Sequence, residues 1–295
     1  MELIIGKTAG FCFGVKNAVD KTYETIKKQN KELYCLGELV HNEKVIENIT
    51  SAGVVTVDDI NNVPENTNLI IRAHGVKPEV YDIANKKNIH IIDLTCPKVL
   101  KVHELAKNFC NKNYYIILIA EKSHPETIGT SGFCGENISI VQSVDDIDVE
   151  IKKFKKSNLS KIAIIAQTTF STERFEDIVK RIREKVDCEV EIENTICNAT
   201  AMRQAETEEL SKKVDLMIVV GGKNSANTKR LYDISCINCD NAILIQNKND
   251  ELLEKTLRNK YDKIGLMAGA STPRESIEEV VDYINKIGGE NEYSK

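Results

Sequence analysis

The chain reads as an α/β protein, and three features of the sequence predict it. Short apolar runs rich in β-branched residues alternate with charged, amphipathic stretches along its whole length. The runs are apolar at nearly every position, which implies strands buried on both faces, as in parallel sheets. Several runs end in a small or polar residue followed at once by a helix start. In order, a strand-like Ile4-Ile5 opens the chain. Strands follow at Leu69-Ile70-Ile71, Ile89-His90-Ile91-Ile92, Tyr115-Ile116-Ile117-Leu118-Ile119, Ile162-Ala163-Ile164-Ile165, Leu216-Met217-Ile218-Val219-Val220 and Ile264-Gly265-Leu266-Met267. Helical periodicity covers about 15–29, 42–51, 97–111, 172–185, 199–212, 225–235 and 274–286.

At 295 residues the chain suits two or three compact units of roughly 100–150 residues each. Its hydrophobic content is 41%, yet no apolar run nears the roughly 18 residues that a membrane span needs. Met1-Glu2-Leu3 leads into Ile4-Ile5 without a basic start or a signal-peptide core, so a cytoplasmic protein is expected. The net charge of −5 comes from 40 basic and 45 acidic residues that are interspersed, which excludes the basic stripe of a nucleic-acid binder. Gly6, Gly10 and Gly14 lack the Rossmann spacing, and there is no Walker lysine motif. Nine cysteines, an odd number, cannot all pair within the chain, so reduced thiols are available for metal.

The residues after the strands carry the chemistry. Arg72-Ala73-His74-Gly75, Ser123-His124-Pro125-Glu126, Gln167-Thr168-Thr169, Gly221-Gly222-Lys223-Asn224-Ser225 and Gly269-Ala270-Ser271-Thr272-Pro273 each stand at or just past a strand end. In open parallel sheets ligands sit outside the carboxyl ends of strands, where helix N-termini offer free N–H groups to anions. The same Ser, Thr and Asn also read as plain helix caps.

Three cysteines stand apart by context. Cys12 lies in Gly10-Phe11-Cys12-Phe13-Gly14, Cys96 in Thr95-Cys96-Pro97, and Cys197 in Thr195-Ile196-Cys197-Asn198-Ala199-Thr200. Each precedes a helix, and a helix N-terminus favours the thiolate that a metal requires. Spaced about one α/β domain apart, they could feed one shared centre from three domains; each also reads as a small buried apolar residue. The pair Cys236 and Cys239 falls in a helix with no second pair to complete four zinc ligands. Cys35, Cys110, Cys134 and Cys188 read mostly as structural.

Together with Leu39-Val40-His41-Asn42, Arg203-Gln204, Lys223-Asn224-Ser225-Ala226-Asn227 and Ala268-Gly269-Ala270-Ser271-Thr272-Pro273, these motifs resemble the 4-hydroxy-3-methylbut-2-enyl diphosphate reductases, the IspH/LytB family, from about residue 4 to residue 287. The resemblance implies three α/β domains in a pseudo-threefold trefoil, set here at 14–96, 97–194 and 195–287 with 1–13; the polar stretch 288–295 is expected to be a disordered tail from its composition. It implies a [4Fe–4S] cluster held by Cys12, Cys96 and Cys197 with its fourth iron open to substrate. The implied reaction is reductive dehydroxylation of the allylic diphosphate to isopentenyl and dimethylallyl diphosphate, the last step of the methylerythritol phosphate route, with reduced ferredoxin or flavodoxin as electron donor.

The resemblance assigns catalysis to Glu126, Thr168 and His124, with Glu126 as the acid. It assigns substrate binding to His41, His74, His124, Thr168, Ser225, Ala226, Asn227 and Ser271. Ala226 stands where the family often has serine; it loses a hydroxyl and keeps a backbone N–H. Without the family, Glu126 reads equally as a first-turn carboxylate favoured by the helix dipole, and each histidine as a core or surface residue. His90 reads as a strand residue and His103 as a helix-surface one. Two rivals are a quinolinate synthase, which also uses three cysteines around one cluster, and a non-catalytic metal sensor. His124-Pro125-Glu126 and Lys223-Asn224-Ser225 favour the reductase.

Overall fold

The computed structural model describes residues 1–28 and 32–292. Its strands are β1 (Glu2–Ile5), β2 (Leu33–Leu36), β3 (Val54–Val57), β4 (Asn68–Ile71), β5 (His90–Asp93), β6 (Tyr115–Ile119), β7 (Ile138–Val141), β8 (Lys161–Ala166), β9 (Glu189–Ile192), β10 (Leu216–Val220), β11 (Ala242–Ile245) and β12 (Lys263–Ala268). Among the described residues they form three four-stranded sheets, ordered β3-β2-β4-β5, β7-β6-β8-β9 and β1-β12-β10-β11. Every pairing is parallel. The α/β class expected from the sequence is therefore the class observed.

Each sheet repeats one topology: second, first, third and fourth strand from edge to edge. In the last sheet β10, β11 and β12 are the first three, and the N-terminal β1 serves as the fourth. By contacts the chain divides into two compact units. One comprises Met1–Val15, His41–Val45 and Asn198–Lys295; the other comprises Lys16–Val40 and Ile46–Cys197. The first holds the sheet with β1 and β10–β12, and the second holds the other two sheets.

The continuous apolarity of the strands has a direct cause. In β6 and β8, Tyr115, Ile117, Ile119, Ile162 and Ile164 pack into a core on one face with Phe154 and Phe175. Their alternates Ile116, Leu118, Ala163 and Ile165 pack on the other face with Val102 and Phe109. A strand covered on both sides has no position left for a polar residue.

Helix starts lie directly behind the residues of interest. Pro78, Pro97 and Pro125 each open a helix, where the missing N–H costs nothing and the fixed φ suits the first turn. Ser171 and Ser225 cap the helices Thr172–Arg183 and Ala226–Asn238 by accepting from Arg174 N and Thr228 N. The last helix runs from Arg274 to Glu292; 293–295, part of the tail expected at 288–295, lie outside the described residues. Among the described residues no helix is long and apolar enough to cross a membrane.

The helix Asn198–Ser211 holds the N-terminal loop by two side chains. Arg203, 3% exposed, donates to the carbonyls of Thr8 and Gly10, both at 2.9 Å. Glu206 accepts from the backbone of Lys7 and Thr8 and from the Thr8 hydroxyl. Replacing Arg203 by Met strands two carbonyls while filling much of the space. Arg203→Met should lower unfolding free energy by about 2–3 kcal/mol in a urea titration, against under about 0.5 kcal/mol for Lys212→Met, which breaks only exposed pairs with Glu208 and Glu209.

Candidate active site

Three kinds of loop stand at the carboxyl ends of the strands, and each recurs in every sheet. The first strands, β2, β6 and β10, lead to His41, His124 and Ser225. The third strands, β4, β8 and β12, lead to His74, Thr168 and Ser271. The fourth strands, β5, β9 and β1, lead to Cys96, Cys197 and Cys12. One backbone bond is common to the cysteine loops: the N–H groups of Cys96, Cys197 and Cys12 donate to the carbonyls of Ala73, Thr168 and Ala270 at 3.0, 2.9 and 3.1 Å. Each acceptor belongs to the loop after the neighbouring third strand.

In the unit holding β2–β9, Glu126 is the central group. It lies in the first turn of the helix Pro125–Ser131 and is 2% exposed. The Thr168 N–H donates to its Oε1 and the Thr168 hydroxyl to its Oε2, both at 2.7 Å. Burial pushes the Glu126 carboxyl up to about 7, outweighing the two Thr168 bonds, which pull it down. A carboxyl there holds its proton near neutral pH and can give it up, as a general acid must. The first-turn position suits a carboxylate too, but full burial makes the acid reading the stronger one.

His124 caps the same helix, its Nδ1 accepting from the Glu126 N–H at 3.2 Å, which leaves the ring proton on Nε2. The His124 and His74 rings meet edge to face, with centroids 5.4 Å apart. His103, expected on a helix surface, is instead buried at 4% exposure and stacked on Phe133 at 4.6 Å. Burial pulls its imidazole down to about 4, so it is neutral. A lone histidine on an amphipathic helix gave no signal of which face it occupies.

In the unit holding β1 and β10–β12, Asn227 sits in the first turn of its helix at 3% exposure, with neither its amide oxygen nor its amide nitrogen hydrogen-bonded. A buried amide left unpaired at both ends is costly and fits a place where a polar ligand completes the bonding. Ala226 opens the same helix, where first-turn N–H groups lack intrahelical acceptors. The Ser271 hydroxyl donates to the His41 carbonyl at 2.9 Å. A side chain at Gly222 would meet that carbonyl at 2.7 Å, so only glycine lets the turn pass so close. The Gly221-Gly222 pair was the one sequence signal of this approach.

The expected ligand set for a [4Fe–4S] cluster is corrected by the geometry. A metal is held where donor atoms converge. Among the described residues, the His, Cys, Asp and Glu side chains whose ligand atoms all lie within 4.8 Å of one another are His41, His74 and His124. Cys12, Cys96 and Cys197 form no such group; each is half-buried and outside any disulfide. The converging donors are imidazole nitrogens rather than thiolates, so the group that could hold a metal ion is His41, His74 and His124 and not the three cysteines expected from the sequence.

Comparison with known proteins gives a consistent picture. The sequence profile of the family described as "LytB protein" matches residues 3–285. A 4-hydroxy-3-methylbut-2-enyl diphosphate reductase of Caldanaerobacter subterraneus subsp. tengcongensis is 40% identical over 295 residues, covering 99% of both chains. The reductase of the same name from Aquifex aeolicus is 38% identical, covering 97% of each. Among solved structures, the E-1-hydroxy-2-methyl-but-2-enyl-4-diphosphate reductase of Plasmodium falciparum matches with a TM-score of 0.88 at 35% identity, over 95% of this chain and 87% of that one. A second structure, described as the terminal enzyme of the non-mevalonate pathway, matches at 0.70 and 38% identity, over 97% of this chain and all of that one.

The raised Glu126 carboxyl makes stability fall with pH in a defined window. Its ordinary value is 4.5 and its folded value about 7. Below about 4.5 both folded and unfolded states hold the proton. Between the two values only the folded state does, so unfolding free energy falls as pH rises; above about 7 it levels off. Glu126→Gln, which keeps the shape and has no charge to bury, should gain on the wild type by about 3 kcal/mol between pH 4 and pH 8. Thermal melting of both proteins across that range checks the sign and the size.

Proposed function

The chain belongs to the LytB protein family, and on that premise we propose that it reduces (E)-4-hydroxy-3-methylbut-2-enyl diphosphate to isopentenyl diphosphate and dimethylallyl diphosphate, the last step of the methylerythritol phosphate route. It is an oxidoreductase of the iron–sulfur class. The observation that supports the chemistry best is Glu126, a fully buried carboxyl near neutrality held at both oxygens by Thr168.

The reaction consumes two electrons and two protons. The allylic C–O bond breaks and the leaving hydroxyl takes one proton to depart as water. The remaining allyl anion takes the other at either end, which gives the two products. In this reading Glu126 supplies a proton to the leaving hydroxyl, and Thr168 fixes both carboxyl oxygens so that the acid cannot swing away. His124, with its proton on Nε2, stands beside Glu126 to orient the hydroxyl or relay the replacement proton.

Recognition of the diphosphate falls to neutral donors and imidazoles. His41 and His74, the unpaired Asn227 amide, the Ser225 and Ser271 hydroxyls and the Ala226 N–H are the groups we assign to it. Such a set binds oxygen atoms by direction and not only by charge. The electrons come from a reduced ferredoxin or flavodoxin; this part rests on the motif resemblance and is checked by supplying each carrier to the enzyme.

Glu126→Gln separates chemistry from binding. It should bind substrate within about tenfold of the wild type while losing on the order of 10²–10⁴ in turnover, the usual contribution of a positioned acid. Steady-state rates with a chemical reductant, paired with calorimetric titration of substrate, provide the measurement. Near-normal turnover in the variant would remove Glu126 from the proton path. Asn227→Ala should instead raise KM, by about tenfold or more, with a smaller effect on kcat.

A further inference from the structure

His74 belongs to a tight turn, and that turn is wedged between two supports that lie in the same unit. Gly75 has a φ of +72°, and its N–H closes the turn onto the Arg72 carbonyl at 3.0 Å. On one side, the Cε1 of His103 stands 2.6 Å from where a Cβ on Gly75 would be, with the Thr95 methyl at 3.1 Å. On the other, Gly129 of the helix Pro125–Ser131 meets the backbone of Gly75 and Val76, its own missing Cβ lying 3.3–3.4 Å from their atoms. Any side chain at Gly75 would therefore be both strained and blocked.

His103 is itself fixed. It projects from the helix that begins directly behind Cys96, is 4% exposed, and lies nearly flat on Phe133 with an interplanar angle of 28°. Its Nε2 makes no hydrogen bond, and neither does the nearby Thr95 hydroxyl. A buried imidazole whose polar atom is unused contributes through the shape and stacking of its ring. No role in the proposed chemistry accounts for it.

We propose that His103 is a positioning residue: its ring, braced on Phe133, forms the floor under the His74-Gly75 turn and sets where the His74 imidazole stands. The inference rests on the reading of His74 as a diphosphate ligand only for its kinetic consequence. Removing the floor lets the turn sink toward the vacated space and carries His74 off its position. A flat apolar ring at 103 restores the floor without restoring any polar atom.

The test uses His103→Ala and His103→Phe in the full-length enzyme, with ring-nitrogen NMR of selectively labelled histidine, of which the chain has five. The His74 signal, assigned by its loss in His74→Ala, should shift in His103→Ala and return close to the wild-type position in His103→Phe. KM for the diphosphate substrate should rise by about tenfold in His103→Ala with kcat changed by less than about threefold, and His103→Phe should recover most of the loss. An unmoved His74 signal in a folded His103→Ala protein overturns the proposal. So does a His103→Phe enzyme as impaired as His103→Ala, which would assign the role to Nε2. A shifted His74 signal with an unchanged KM would leave the floor in place and sink instead the assignment of His74 to substrate.

Discussion

A parallel sheet delivers the carboxyl end of every strand to one edge, and this chain exploits that constraint three times. Because each sheet has the same strand order, each presents the same three loops side by side: one after its first strand, one after its third and one after its fourth. The loops are then locked to one another by backbone. The carbonyls of Ala73, Thr168 and Ala270 hold the amides of the three cysteines. Repetition explains why residues far apart in sequence have equivalent settings: His41, His124 and Ser225 are one position repeated, and His74, Thr168 and Ser271 another. The chemistry differs between repeats because the side chains do, while the scaffold is the same.

Within that scaffold the costly feature is the burial of Glu126. A carboxyl at 2% exposure loses its hydration, and two hydrogen bonds from Thr168 do not restore it, so the proton stays on near neutral pH. A surface glutamate would be more stable there and useless as an acid. The unpaired amide of Asn227 is a similar case in the other unit, a polar group buried ahead of the partner that completes it. Both features lower stability in the free protein, and both lie at strand ends, where the loops and not the cores carry the strain.

How much of this was legible in the sequence depended on how completely a segment is buried. Tyr115–Ile119 and Leu216–Val220 were read to the residue because both faces of those central strands are covered and every position is apolar. Val54–Val57, Ile138–Val141, Glu189–Ile192 and Ala242–Ile245 lie outside the expected strands; they are edge strands and only partly covered. Central β2, Leu33–Leu36, holds no β-branched residue and so carries a weaker strand signal than the other central strands. The helices Pro78–Lys86 and Pro125–Ser131 also lie outside the expected set, although a proline opens each. Of the site, the motifs brought Glu126 and Thr168 to notice, but their mutual bonding across forty-odd residues of chain follows only from the pairing of β6 with β8. The cysteine contexts suggested a common metal centre; the converging donors proved to be histidines.

Proton delivery from Glu126 requires that the buried carboxyl hold its proton near neutral pH. Difference infrared spectroscopy between the wild type and Glu126→Gln isolates the carbonyl stretch of that one carboxylic acid. A protonated-acid band present at about pH 6, absent from the variant, and fading with a midpoint of about 7 is the result expected from its burial. A Glu126 that is already fully ionised at about pH 6, with no such band to lose, would contradict it.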